Sequence, residues 1–374
     1  MKKNLRTWFG YAFMTVALLG SGIYACEFAS GGGGGGGGGN GSGVLYLLDN
    51  QNAQVDIFSS ATNLSGSQTI TQSLLGDPNN LNTNPNNYFM QNPTALAIDT
   101  ARNILYVADS NQQAILAFNT ASTLSGQVSA LRIYPYSDAS GINGRVVDLF
   151  YDSEHDILYA ADQAQETVFR WAGISTLPLP NEQGPTGQIY MGFPMSSMAI
   201  DLAHNLIYLG NPSASPSPAV QMYNGLLALT NDTTQPYVAS NTFTEIPSAI
   251  ATLGFVNLNG MVVNPLIVTG GILYVSETGY PSIEIFNNAS SLQNEVEATQ
   301  EISGVDTGLV KNQLSKMILQ SNTNNIWAIA GNTQVNIWQN AQQLDPLNAN
   351  QAPSVSLTIT GAGQIVSLAL DMTR

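Results

Sequence analysis

From Val44 onward the chain is a succession of short apolar runs separated by clusters of Gly, Asn, Asp and Pro. A clear example is the run Ile104–Asp109, which a short polar turn separates from a second run at 114–118. Short apolar runs bounded by turn-forming residues predict β-strands, and this region has no segment with the period of an amphipathic helix. The pattern therefore predicts an all-β structure.

The strands recur in a fixed register. One strand of each copy pairs an aliphatic residue with an aromatic one, at Tyr46, Tyr106, Tyr159, Tyr208, Tyr274 and Trp327. A second aromatic follows further along each copy, at Phe58, Phe118, Trp171, Tyr223, Phe286 and Trp338. Six residues beyond each of these lies a leucine, at Leu64, Leu124, Leu177, Leu229, Leu292 and Leu344. A register kept through six copies predicts a repeat architecture of six units.

Each unit is predicted to contain four strands, named A to D. In the second unit, strand A covers 95–99, strand B Ile104–Asp109, strand C 114–118 and strand D 128–133. Four short strands per unit, repeated around a ring, are typical of a β-propeller. Six units therefore predict a six-bladed β-propeller over residues 44–374.

The two ends of this region predict how the ring closes. The first unit begins at strand B, with Val44–Asp49, and the last segment, Ile365–Asp371, has the pattern of a strand A with no strand B after it. Paired together, these segments complete one blade, so we expect the C-terminal strand A to join the N-terminal blade. Closure of this kind leaves no long strand edge exposed to other chains.

The segment 104–118 resembles the NHL repeat and, more loosely, the YVTN-type propellers of exported bacterial proteins. The resemblance covers nearly all of residues 44–374, is strongest at 93–136 and weakens in units 4 and 5. It implies the propeller fold. It does not imply a function, because propellers of this kind include binding proteins, scaffolds and several classes of enzyme.

The N-terminus has the pattern of an export signal. Three basic residues lie within the first six positions, and an uncharged run follows over 7–25. Residues 23–26, Ile-Tyr-Ala-Cys, resemble the lipobox of bacterial lipoproteins, which implies cleavage before Cys26 and attachment of lipid to it. A retained signal anchor is the alternative, because the run is just long enough to cross a bilayer.

Nine consecutive glycines at 31–39 predict a flexible tether between Cys26 and the first strand. The expected organisation is a lipoprotein-type signal peptide over 1–25, a lipidated Cys and tether over 26–43, and the propeller over 44–374. We expect an exported protein that contacts the membrane through its lipid alone. Glu27 follows the cysteine, where an Asp is associated with retention in the inner membrane, so the outer membrane is the expected address.

The composition excludes several functions. Only 9% of the residues are charged. The chain has 10 Lys and Arg and 25 Asp and Glu, which gives a net charge of −15. A nucleic-acid partner is not expected, because phosphate binding requires clustered basic residues. With a single Cys, a cysteine-based metal cluster is excluded. With two His, a histidine-rich zinc site or a catalytic triad has few residues to draw on.

Four units carry a carboxylate where strand B ends, and we call these the strand-B carboxylates: Asp49, Asp109, Asp162 and Glu277. In propellers this position opens the loop between strands B and C, on the face that usually binds ligands. A ring of carboxylates could hold Ca²⁺, which prefers oxygen ligands. Alternatively, each carboxylate caps its own turn, a role that Asn fills as well. We favour caps, because equivalent positions of different blades lie too far apart to bind one ion.

Five apolar residues outside the repeat register are candidates for ligand contact, because loops on a rigid scaffold often carry function: Tyr88, Phe89, Met191, Phe193 and Phe255. Arg145 and Asp148 lie at the start of strand A in unit 3. They could orient an anionic ligand near the central channel or form a local ion pair, and the ion pair is the favoured interpretation.

The two histidines, His155 and His204, share a position in the turns between strands A and B, where Arg102 is the equivalent residue of unit 2. Turn positions on the face opposite the expected site predict exposed side chains without a role in catalysis. The leading hypothesis is a binding or scaffold module of the cell envelope with a protein or glycan partner, no cofactor and no catalysis. The alternative is a hydrolase similar to the calcium-dependent lactonase propellers, which would require Ca²⁺.

Overall fold

A computed structural model of the chain describes residues 42–79, 87–136, 143–177, 184–215, 217–225, 238–245, 255, 257–265, 270–320, 322–345 and 348–374. The predicted signal peptide, Cys26 and the glycine run lie outside the described residues. Among the residues that are described, no helical segment is long and apolar enough to cross a membrane.

The first half of the chain supplies the strands of blades 2 and 3 and most of blade 1. These strands are β1 (Val44–Asp49), β2 (Gln54–Ser59), β3 (Gly66–Thr69), β4 (Ser73–Leu75), β5 (Pro93–Asp99), β6 (Ile104–Asp109), β7 (Ala114–Asn119), β8 (Gly126–Gln127), β9 (Arg132–Pro135), β10 (Val146–Asp152), β11 (Ile157–Asp162), β12 (Thr167–Ala172) and β13 (Gly187–Tyr190).

The second half supplies blades 4 to 6 and the closing strand. These strands are β14 (Ser197–Asp201), β15 (Leu206–Asn211), β16 (Ala219–Asn224), β17 (Asn241–Glu245), β18 (Leu258–Asn264), β19 (Ile272–Glu277), β20 (Ser282–Asn287), β21 (Asn294–Val296), β22 (Gln300–Ser303), β23 (Met317–Gln320), β24 (Asn325–Gly331), β25 (Gln334–Trp338), β26 (Val355–Thr360) and β27 (Ile365–Asp371).

The strands form six small sheets arranged as a ring, which confirms the six-bladed β-propeller. Blades 2, 3 and 5 are the antiparallel sheets β5-β6-β7-β9, β10-β11-β12-β13 and β18-β19-β20-β22. Strand A of each blade contacts strand A of the next blade, so the A strands surround the axis. The turns between strands B and C and the crossovers from strand D to the next strand A lie at one end of the ring, which we call the top face.

The ring closes as the sequence predicts. The C-terminal strand β27 pairs antiparallel with β1, and Tyr46 lies opposite Ala369. Blade 1 therefore has its strand A from the end of the chain and its strands B to D from the beginning. The side chains of Ile365 and Leu368 are buried in the apolar layer between blades 6 and 1.

Three sheets gain a fifth strand from the following blade. The short strands β8, β21 and β3 pair in parallel with β4, β17 and β26, the outer strands of blades 1, 4 and 6. This pairing corrects the prediction of strand D in the second unit. Residues 126–127 belong to the edge of blade 1, so strand D of blade 2 begins only at Arg132 and ends at Pro135 rather than spanning 128–133.

The repeated leucine ends a single turn of 3-10 helix that follows strand C. In five blades the turn begins after a residue in the left-handed conformation, and its first residue is buried, as at Ala121. The five described leucines that end these turns are Leu64, Leu124, Leu177, Leu292 and Leu344. The fixed spacing thus comes from a fixed turn geometry. The sixth leucine, Leu229, lies outside the described residues.

The apolar core consists of six wedges, each between two neighbouring blades. One wedge joins blades 1 and 2, and five others follow around the ring. The repeated aromatic residues of strand B contribute to these wedges and are at most 3% exposed. Packing of blade against blade therefore accounts for their spacing.

Candidate functional site

The strand-B carboxylates fasten two loops of the top face to each other. In blade 2, Oδ1 of Asp109 accepts the backbone amides of Asn111 and Gln112, both at 3.0 Å, within the turn that follows β6. Its Oδ2 accepts the amides of Gln91 at 2.5 Å and Asn92 at 3.0 Å, in the crossover that leads into β5. One buried carboxylate therefore holds both the turn between strands B and C and the entry to strand A.

Blade 1 uses the same arrangement at the point of ring closure. Asp49 accepts the amide of Asn52 at 3.1 Å in its own turn. It also accepts the amides of Gly363 at 2.6 Å and Gln364 at 3.0 Å, just before β27. The carboxylate thus binds the first strand of the propeller to the last one, across more than three hundred residues of sequence.

Blade 3 follows the pattern, and blade 5 has the contact with the crossover. Asp162 accepts the amide of Arg145 at 3.0 Å, together with two amides of its own turn. Glu277 accepts the amide of Asn257 at 2.7 Å, before strand A of blade 5. These contacts support the capping interpretation and correct one detail of it. Both carboxylate oxygens of Asp109 accept hydrogen bonds from backbone amides. The side-chain NH2 group of an Asn is itself a donor and would face two backbone donors, so Asn could not fill this role equally well.

Burial raises the pKa of Asp109 and of Asp162, and the amide hydrogen bonds oppose that shift by stabilising the ionised form. The four strand-B carboxylates belong to four different blades. Within the described part of the chain, no group of three His, Cys, Asp or Glu side chains is placed to hold a metal ion. The structure therefore gives these carboxylates backbone partners and does not bring them together.

Four of the five apolar candidates pack in the wedges between blades: Tyr88, Met191, Phe193 and Phe255. Phe89, Met191, Phe193 and Phe255 are 8%, 5%, 7% and 3% exposed, and Tyr88 is half-buried against the wedge of blades 1 and 2. All five belong to crossovers that lead into a strand A. Of the five, only Tyr88 therefore presents surface to a partner in this conformation.

The crossovers explain why these residues escape the repeat register. Each crossover places at least one apolar side chain into the top of a wedge, but the crossovers differ in length. Phe255 is an example, because its ring lies 5.9 Å from the ring of Phe243 and 5.7 Å from that of Phe286. An apolar residue shortly before each strand A is the sequence signal that could have identified this packing role.

Arg145 and Asp148 do not form the local ion pair that the sequence favours. The guanidinium of Arg145 is exposed and reaches the side chain of Gln163 at 3.4 Å. Asp148 instead binds Lys316, with 2.7 Å between Oδ2 and Nζ. Strand A of blade 3 points Asp148 toward the axis, so its side chain lies nearer to the opposite blade than to Arg145.

The ion pair of Lys316 and Asp148 crosses the central channel from blade 6 to blade 3. Both side chains are nearly buried, at 11% and 15% exposure. Asp148 also accepts the backbone amide of Met198 in blade 4 at 3.0 Å, and Nζ of Lys316 lies 3.5 Å from the carbonyl oxygen of Ser196. Three blades are therefore joined at the axis.

The histidines lie in the turns between strands A and B, as expected, but they have partners. Nδ1 of His155 is 2.7 Å from Oδ2 of Asp152, and Nδ1 of His204 is 2.7 Å from Oδ2 of Asp201. In blade 2, Arg102 pairs with Asp99 at 3.0 Å in the same way. A repeated contact of this kind holds the turns of the face opposite the top face.

Uncharged carboxamides dominate the exposed part of the top face. Nine Asn and Gln residues are exposed there: Gln51, Asn52, Asn79, Asn111, Asn143, Asn257, Asn312, Asn332 and Gln364. Among the described residues of this face, the exposed charged side chains are those of Arg145, Asp306 and Lys311. The composition shows that charged residues are few, but it does not show where on the molecule they are absent.

Comparison with models of known protein families finds no match, and no curated protein matches the sequence. The geometry of the six blades, the strand-B carboxylates and the top face is therefore the basis for a functional interpretation.

Proposed function

We propose that the chain is a non-catalytic binding module of the cell envelope that recognises a neutral glycan through its top face. The observation that carries the proposal is the contrast within that face. Its buried carboxylates are bonded to backbone amides, while its exposed side chains are mainly carboxamides. A carboxamide both donates and accepts hydrogen bonds, which suits the hydroxyl groups of a sugar.

Two resemblances extend the proposal to the location of the protein. Residues 23–26 resemble a lipobox, so export and lipid attachment at Cys26 would anchor the propeller to a membrane of the cell envelope, for which the outer membrane is the expected address. The NHL-like segment 104–118 is compatible with a binding role, because such propellers serve as binding modules among other functions. The glycine run at 31–39 would let the top face reorient relative to the membrane.

The proposal can be tested by measuring the binding of the purified protein to a panel of neutral oligosaccharides, sulfated oligosaccharides and unstructured peptides. We expect binding to neutral oligosaccharides. A triple variant, Gln51→Ala with Asn111→Ala and Asn332→Ala, removes exposed carboxamides from three adjacent blades. With about 0.5–1.5 kcal/mol lost for each hydrogen bond, the affinity should fall by roughly tenfold or more.

The matched control changes three exposed carboxamides at the opposite face, Asn119→Ala with Asn287→Ala and Gln339→Ala, and should leave the affinity unchanged. If the protein binds the peptides and none of the oligosaccharides, its partner is a protein and not a glycan. Equal losses in both triple variants, or hydrolysis of a lactone substrate that a chelator abolishes, would contradict the proposal.

A further inference from the structure

Three glutamates are buried together where blades 4 and 5 meet, and we call them the glutamate trio. Glu245 on β17, Glu284 on β20 and Glu301 on β22 are 4%, 1% and 3% exposed. Four of their oxygens have no hydrogen-bond donor in reach: both of Glu245, Oε2 of Glu284 and Oε1 of Glu301. Ionised carboxylates are very unfavourable in such surroundings, because neither water nor a counter-charge offsets the loss of hydration.

The protein offers no basic residue near the trio. Residues 205–310 contain eight Asp and Glu and no Lys, Arg or His. The other titratable side chains on the strands packed around the trio are Glu277 and Tyr274 on β19, exposed Glu295 on β21 and Tyr223 on β16. Neutralisation therefore has to come from solution.

Blades 1 and 6 also carry a polar residue at the strand-C position of Glu284, and in both a serine on strand D donates to it. In blade 1, Asp56 lies opposite Ser73, whose hydroxyl donates to its Oδ1 at 2.8 Å, while Oδ2 of Asp56 has no hydrogen-bond partner. In blade 6, Asn336 lies opposite Ser356, whose hydroxyl donates to it at 2.7 Å. The residue on strand C is polar in each case, and the residue on strand D supplies a hydrogen.

Blade 5 replaces that hydroxyl with a carboxyl group, because Glu284 lies opposite Glu301. Ser282 donates to Oε1 of Glu284 at 2.6 Å, which leaves Oε2 of that residue without a donor. A carboxyl group can donate a hydrogen bond only while it is protonated. The strand-D donor that Ser73 and Ser356 supply in blades 1 and 6 is therefore present in blade 5 only when a carboxyl group of the trio is protonated.

The electrostatics of the trio agree with this geometry. Burial raises the pKa of Glu245 to about 8, and the charges of Glu277 and Glu301 add to the shift. Burial, together with the neighbouring Glu245 and Glu301, raises the pKa of Glu284 well above its ordinary value. Burial also raises the pKa of Glu301.

We propose that the glutamate trio holds protons in place of the hydroxyl donors of the other blades, which makes the contact between blades 4 and 5 sensitive to pH. The apolar wedge at this contact is built from the same strands. Phe243 precedes Glu245 by two residues on β17, and Phe286 follows Glu284 by two residues on β20. Ionisation of the trio places like charges beside this wedge and loosens it.

The direction of the pH dependence follows from the linkage between protons and folding. The folded state holds protons that the unfolded chain releases near pH 4.5, so the contribution to stability is complete below that pH. It declines as the pH rises and is lost once the pH passes the folded pKa of about 8 for Glu245. The trio therefore stabilises the folded state most at acidic pH, and this contribution decreases toward alkaline pH.

The test is the melting temperature of the purified protein between pH 6.5 and pH 9. This range lies above the folded pKa of Asp56, which burial raises to about 6, so that residue contributes little to the slope. We expect the melting temperature of the wild type to fall by several degrees across the range. A double variant, Glu245→Gln with Glu301→Gln, should flatten the curve, because glutamine supplies hydrogen-bond donors at every pH. The matched control, Glu295→Gln, removes an exposed charge from the adjacent strand β21 and should keep the wild-type slope.

A second measurement does not depend on the folding of any variant. Infrared spectroscopy of the wild type at pH 7 should show the carbonyl stretch of a buried protonated carboxyl group, and this band should weaken as the pH rises past about 8. A flat melting curve in the wild type, or absence of the band at pH 7, would overturn the proposal. Calcium added at pH 8.5 is a further check. If it restores the melting temperature as fully as acid does, the proposal is overturned, because a cation rather than protons would then occupy the trio.

Discussion

Removal of residues 365–374 is expected to unfold the propeller rather than shorten it. The deleted segment contains β27, the only strand A of blade 1, and its loss exposes the inner edge of β1 along the axis. Ile365 and Leu368 leave the wedge between blades 6 and 1. Full burial of an aliphatic side chain contributes about 1.5–3 kcal/mol, so the combined loss approaches the stability of a whole domain, about 5–15 kcal/mol.

The loss extends beyond apolar contacts. Without β27, Gly363 and Gln364 are no longer held beside Asp49, so Asp49 loses the hydrogen bonds from their amides and keeps only the bond from Asn52 in its own turn. We expect the truncated protein to aggregate, or to show no cooperative unfolding by circular dichroism. The matched control is truncation after Met372, which retains all of β27 and should melt much closer to the wild type. Native-like melting of the longer truncation would mean that β27 does not close the ring.

Replacement of Lys316 by Met is expected to be the most damaging single substitution at the axis. Lys316 is the ion-pair partner of Asp148, and both side chains are nearly buried. Removal of one member of a buried pair leaves an uncompensated charge and costs about 3–5 kcal/mol. The backbone amide of Met198 would remain as a donor to Asp148, so we expect a loss near the lower end of that range.

Denaturation by urea should therefore show a clearly lower midpoint for Lys316→Met. The control is Lys311→Met, because Lys311 is an exposed lysine in the same crossover and should change stability by no more than about 0.5 kcal/mol. Combining Lys316→Met with Asp148→Asn should recover part of the loss, since the remaining buried group is then neutral. A wild-type midpoint for Lys316→Met would show that the ion pair does not join blades 3 and 6.

The fold could be predicted because the repeat encodes local geometry. The spacing from strand-C aromatic to leucine reflects one 3-10 turn, and the strand-B aromatics reflect one packing position in each wedge. Both features depend on residues close in sequence, so each copy repeats them. Closure by β27 was predictable for the same reason, because the first and last units each lack what the other supplies.

The contacts within the candidate site depend on the ring as a whole and have no local signal. Asp148 and Lys316 are 168 positions apart, and only the curvature of six blades brings them together. Arg145 is three positions from Asp148, so proximity in sequence favoured the wrong partner. Strand D of blade 2 begins later than the sequence predicts, because residues 126–127 pair with the neighbouring blade 1. The sequence of one repeat does not show pairing with another blade.

We propose that the carboxylates of the top face hold the backbone of a rigid binding surface and do not serve a catalytic metal. Hydrogen–deuterium exchange of the purified protein tests it most directly, at the amides of Gln91 and Asn92, which donate to Asp109. We expect these amides to be protected without metal, to be unaffected by a chelator or by millimolar calcium, and to lose protection in Asp109→Asn. Rapid exchange of both amides in metal-free protein, with protection appearing only when calcium is added, would contradict the claim and point to a metal-dependent site.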